Sequence, residues 1–181
     1  MMEVRVTPGF VLLMAVWFLL DRAGLYWCAL PAAALHEAGH LLAIRLCGGR
    51  PRLLTLSAGG LRIDYAGALS YARETVVALA GAAVNLLAAV LACVVYARTG
   101  RADAVCMAGV QLLFAAANLL PLRALDGGQA LRALLRSRLS LPAADRAARI
   151  VSRIFPREFS FWVCTLPSKR AIIALSSCQA A

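Results

Sequence analysis

The stretch Leu35-His36-Glu37-Ala38-Gly39-His40-Leu41 decides how the rest of the chain is read. His36 and His40 are the chain's two histidines, four residues apart, with a glutamate directly after the first. On an α-helix, positions i and i+4 share a face, so both imidazoles can reach one point. Neutral imidazoles suit Zn²⁺, and two of them from one helical turn supply half of a tetrahedral site. Glu37 lies one residue along, near enough to take a proton from water activated by such a metal. Residues 36–40 thus hold a reaction centre that lacks a third ligand.

The flanks strengthen that reading. From Ala23 to Cys47 the chain runs AGLYWCALPAAALHEAGHLLAIRLC, and before Arg45 its charged groups come from the motif itself. Ionisable residues inside a membrane-length apolar run are expensive and are normally there for function. One such histidine is explained by a satisfied core position. A His-Glu-His turn in a lipid-compatible helix is not, and it points to a metal centre.

Composition places the whole chain in a membrane. A length of 181 residues predicts one domain. With 62% hydrophobic residues and a mean hydropathy of +0.76, the chain has the make-up of an integral membrane protein. The net charge of +10 does not call for a nucleic-acid partner. The arginines sit mostly between apolar runs and after the last long one, as the positive-inside rule expects. The six cysteines form no C-x-x-C pair and lie mostly in apolar stretches, which predicts buried free thiols and no disulfide framework.

Taken in order, the chain predicts an all-α polytopic bundle of about four spans with a small β-hairpin and a C-terminal amphipathic helix. Residues 1–23 are expected to hold a short first span, counted from Val4 and closed by Asp21-Arg22. A signal peptide competes for this stretch, but no A-x-A-like cleavage site follows the apolar run promptly. The core is 24–138. Its first span, 24–47, carries the metal motif, with Pro31 expected to bend the helix and Gly39 to admit a close neighbour. In 48–73, Leu54 and Leu56 alternate with Thr55 and Ser57, and Leu61, Ile63 and Tyr65 alternate with Arg62 and Asp64. That period of two around Ala58-Gly59-Gly60 predicts a hairpin, with a free strand edge near the mouth of the metal site.

The third span is 74–97 and the fourth 104–121, where Pro121 ends or kinks the helix. Gly81 and Asn85 stand four apart on the third span, a small residue for close packing and an amide that needs a partner. Asn85 can serve as structural glue or in function. An amphipathic helix follows at 126–139, and 140–181 is expected to be a cytoplasmic tail. Asp126 can cap the helix Gln129–Leu139, supply the missing carboxylate ligand, or do both. Four spans put the N-terminus, hairpin and tail on the arginine-rich side, which should be cytoplasmic, with the metal site opening toward it.

These elements resemble the site-2 protease family of intramembrane zinc metalloproteases. His36-Glu37-Ala38-Gly39-His40 is similar to its H-E-x-G-H helix, and Asn118-Leu-Leu-Pro121-Leu-Arg-Ala-Leu-Asp126-Gly127-Gly128 to its N-x-x-P-x-x-x-x-D-G motif. Gly81-Ala82-Ala83-Val84-Asn85 resembles its G-P-x-x-N segment, with Ala82 in place of the proline. Order and spacing agree over roughly residues 24–138. The resemblance implies one Zn²⁺ held by His36, His40 and Asp126, Glu37 as general base, and substrate contacts at Asn85 and Asn118. It also implies hydrolysis of a peptide bond in or near a transmembrane segment of a membrane-protein substrate, within the lipid bilayer of the cell (plasma) membrane. Short loops without a PDZ-like insertion point to the compact, sporulation-type branch. That branch usually continues with further spans, whereas Pro156–Ala181 is broken by Pro167, Lys169 and Arg170. Two other classes compete. A non-proteolytic membrane scaffold with a zinc site has no use for Glu37, and a metal transporter needs ionisable ligands along a path, not at one point.

Overall fold

The structure is a computed structural model that describes residues 2–58 and 60–154, the side chains of 152–154 excepted. The expectation for Pro156–Ala181 lies outside the described residues. The elements run β1 (Glu3–Val6), α1 (Pro8–Leu20), α2 (Tyr26–Leu46), β2 (Arg50–Ser57), β3 (Gly60–Ala66), α3 (Tyr71–Thr99), α4 (Ala102–Asn118), α5 (Asp126–Arg136) and α6 (Leu141–Ile154). The protein is mostly helical with one small sheet.

The sheet has the order β1-β2-β3. The predicted hairpin is present as the antiparallel β2–β3 pair, with Leu54 opposite Ile63 and Thr55 opposite Arg62. A third strand joins it. β1 pairs parallel to β2, with Val4 beside Leu54. This corrects the first span, because residues 3–6 belong to the sheet and α1 keeps 13 residues. At 1.5 Å per residue that is about 20 Å, short of a bilayer core of about 30 Å. Thr7 makes the junction: its hydroxyl accepts from Phe10 N–H and donates to the Leu56 carbonyl at 3.0 Å.

Among the described residues one helix, α3, is long and apolar enough to cross a membrane; α1 and α4 are shorter apolar helices. By that measure α3 is a full span with α1 and α4 as shorter apolar companions, and the expected four full spans are not shown. Packing still has the character of a membrane bundle. Ala32 and Ala115 are fully buried, while Leu12, Leu87 and Leu112 are 54–66% exposed. Small residues inside let helix backbones approach, and large apolar side chains outside suit contact with lipid. At the α2–α3 crossing, a Cβ on Gly39 would lie 2.9 Å from the Ala80 carbonyl oxygen and from Val84. Gly39 thus admits a close neighbouring helix, as expected.

α3 packs on α2, α4 and α5, so it is the spine against which the metal motif and the 126–136 helix are both held. α6, not anticipated from the sequence, packs on α5.

Candidate metal centre

α2 places His36 and His40 on its buried face, one turn apart. α5 brings Asp126 to them from ninety residues further along the chain. His36 Nε2 lies 2.7 Å from Asp126 Oδ2, His40 Nε2 lies 3.1 Å from the same oxygen, and the two Nε2 atoms are 3.1 Å apart. Three potential ligand atoms thus converge on one point.

Second contacts fix the arrangement. His40 Nδ1–H donates to the Val77 carbonyl at 2.8 Å, because a carbonyl can only accept. In the neutral ring that bond leaves the Nε2 lone pair for a metal. His36 Nδ1 is buried and has no hydrogen-bond partner among the described residues. An ionised Asp126 would be the anionic ligand that a metal requires.

Asp126 is not the helix cap. The N-cap position is Leu125, without a side-chain capping bond, and Asp126 opens the helix with its carboxylate turned to the histidines. The two glycines after it have steric reasons. A Cβ on Gly127 would strike the Leu119 carbonyl, and one on Gly128 the Leu122 carbonyl. The D-G-G sequence therefore lets α5 start flush against the loop that follows α4.

The residues fit a zinc ion. Ligand atoms at about 2.0–2.2 Å around a tetrahedral zinc stand about 3.3–3.5 Å from one another, so the two 3.1 Å edges of the triangle need to open by a few tenths of an ångström and the 2.7 Å edge by about 0.6–0.8 Å. Gly81 closes one side. A Cβ there would lie 2.5 Å from His40 Nε2 and 2.7 Å from His36 Cε1, so α3 can pack this tightly on the imidazoles only with glycine.

The other side opens into a cavity of about 530 Å³ whose wall includes Glu37, His40, Asp126 and residues 61–65 of β3. Glu37 is half-buried, and its carboxylate makes no hydrogen bond among the described residues. Asn85 and Asn118 stand apart from this wall. Asn85 is fully buried on α3 with neither amide atom partnered among the described residues. Asn118 Nδ2 donates to the Phe114 carbonyl at 3.0 Å. Sequence reasoning passed over Arg132 and Arg136, which line the cavity. The signal was available: Arg132 and Arg136 stand four apart, on one face of the helix that Asp126 opens.

The family model described as peptidase family M50 matches residues 101–156, the stretch that holds α4, α5, α6 and Asp126. A site-2 protease from Methanocaldococcus jannaschii has a similar fold, with a TM-score of 0.65 and 19% identity over 97% of this chain and 85% of that one. The chain thus shares the fold of that site-2 protease, and residues 101–156 are similar to peptidase family M50. Among curated proteins none matches the sequence. The M50 profile covers Asp126, the third candidate ligand, while the His36–His40 helix precedes it in the chain.

Proposed function

We propose that the chain is a zinc endopeptidase that hydrolyses a peptide bond in or beside a transmembrane segment of a membrane-protein substrate. His36, His40 and Asp126 hold one Zn²⁺, and Glu37 is the base. The observation that carries this reading is the convergence of three ligand atoms within 2.7–3.1 Å beside a cavity that Glu37 lines. A bound zinc supplies a Lewis acid that acidifies water and polarises the scissile carbonyl. Glu37 takes the proton of the attacking water and passes it to the leaving amine. The rest of the cavity wall orients the peptide.

Orientation follows from charge and from the sheet. Pairing of β1 with β2 puts the N-terminus and the hairpin at one end of the bundle. That end carries Arg50, Arg52, Arg62 and Arg73, so we assign it to the cytoplasmic side of the cell membrane. The test of the function is direct. The protein purified in detergent should contain one zinc per chain and cleave at least one member of a co-expressed library of single-span proteins, and chelation should abolish cleavage. Zinc without cleavage of any member would return the chain to the non-proteolytic scaffold class.

A transmembrane helix hides its amides, so the substrate has to unwind before attack. β3 is the strand suited to receive it. Among the described residues β2 is paired on both sides, whereas β3 has β2 on one side only; β3 also contributes residues 61–65 to the cavity wall. Strand addition uses main-chain hydrogen bonds, and neighbouring amides on a strand point alternately to the partner and to the free edge. Of Arg62→Pro and Ile63→Pro, the one at the free edge should cut cleavage about fivefold or more with melting temperature unchanged; the other should lower melting temperature. Alanine at both positions should have little effect. If alanine matches proline, recognition is through side chains and strand addition is wrong.

A further inference from the structure

The cavity-facing stripe of α5 continues past Asp126. Gln129, Arg132, Ala133 and Arg136 recur at helical spacing and line the same cavity. Asp145 of α6 accepts from Arg132 Nε at 2.9 Å and from Arg136 Nη2 at 3.1 Å. Those bonds, Arg132's first and then Arg136's, hold the Asp145 carboxyl below its ordinary range. An ionised Asp145 therefore sets the two guanidinium groups side by side. One carboxylate against two guanidinium groups leaves a local positive excess at this end of the wall, away from Glu37, Asp64, Glu74 and Asp126. Arg136 Nε is buried with no hydrogen-bond partner among the described residues, and the bond from Arg132 uses Nε, not its paired Nη groups. A buried donor left unpaired is costly, and a planar guanidinium with spare N–H groups matches a carboxylate. Elsewhere on the wall Arg62 and Asp64 pair with each other at 3.0 Å, and Glu74 stands at the start of α3.

We propose that Arg132 and Arg136 form a subsite for an acidic side chain of the substrate, three to five residues from the scissile bond. The subsite rests on the protease reading and names a substrate preference for it. Its distance comes from helix geometry. Arg132 and Arg136 lie about 9 and 15 Å along α5 from Asp126. An extended chain held against β3 advances about 3.3 Å per residue, which gives three to five residues. Asp145 is a positioning residue that reaches the substrate only through the two arginines.

The test uses the full chain carrying Glu37→Gln, loaded with zinc in detergent micelles. The probes are fluorescein-labelled peptides with a hydroxamate at one end, which anchors on the metal and fixes register. One series carries the hydroxamate at the C-terminal end and the other at the N-terminal end. A single aspartate is moved along each, with asparagine as control. In one series, binding should peak about tenfold when aspartate stands three to five residues from the hydroxamate. The peak should vanish in Arg132→Gln/Arg136→Gln, while the aspartate-free probe binds that variant as it binds the parent. Should the double variant lose the aspartate-free probe, the single variants replace it, and each should lower the peak. A flat profile in both series, or a peak that survives the glutamine variants, overturns the subsite. Failure of every hydroxamate to bind overturns the metal reading itself, which separates the two failures.

Discussion

Glu37→Gln should leave zinc content and melting temperature at the parent's level while cutting hydrolysis about 10²–10⁴-fold, the usual loss for one acid–base group. Glutamine has the shape of glutamate but cannot take a proton from water at neutral pH. No ligand atom is removed, because the converging atoms belong to His36, His40 and Asp126. Little packing is disturbed, since the Glu37 side chain faces the cavity and makes no hydrogen bond among the described residues. Cleavage kinetics on a substrate from the library, with metal analysis of the same preparation, check the claim. A Glu37→Gln protein that cleaves at the parental rate would refute the assignment of the base.

How much of this was legible in the sequence depends on how local the signal is. The two histidines were readable because a single helical turn sets their geometry, and α2 forms that turn. The hairpin was readable because seven or eight residues per strand suffice to show a period of two. β1 was not. Four residues, Glu3–Val6, are too few to establish alternation, and they abut an apolar run that absorbed them into a span. Their place is fixed by pairing with residues fifty positions away, and no local pattern encodes that.

The same holds for the third ligand and its surroundings. Asp126 followed by two glycines reads equally as a cap or as a ligand; the choice comes from α3, which packs on both α2 and α5 and so brings the carboxylate to the imidazoles. Gly81 was legible as a small residue in a helix, but not as the residue that abuts both imidazoles. Nor did spacing alone show which hairpin strand keeps a free edge, because that depends on β1 covering β2. The clamp of Asp145 on Arg132 and Arg136 joins two helices, and arginine-rich amphipathic segments read alone as solvated or lipid-facing.

Asp126→Ala should behave differently from Glu37→Gln, losing zinc and activity together. Two weaker roles of Asp126 can be separated from ligation. It is not the N-cap, so the cost of about 1 kcal/mol for a lost cap does not apply. A carboxylate in the first turn of a helix favours the macrodipole by about 0.3–1 kcal/mol, which lowers melting temperature slightly and leaves metal content unchanged. Ligation predicts much more. Removing one of three protein ligands leaves two imidazoles, and His36 Nε2 and His40 Nε2 lose the anion that lies 2.7 and 3.1 Å from them. Zinc measured on the detergent-purified protein should therefore fall well below one per chain. Added zinc should restore part of the activity of Asp126→Ala and none of that of Glu37→Gln, because the first lacks affinity and the second lacks the base. Full zinc in Asp126→Ala with only a lower melting temperature would reduce Asp126 to a helix-dipole partner and leave the third ligand to be found elsewhere.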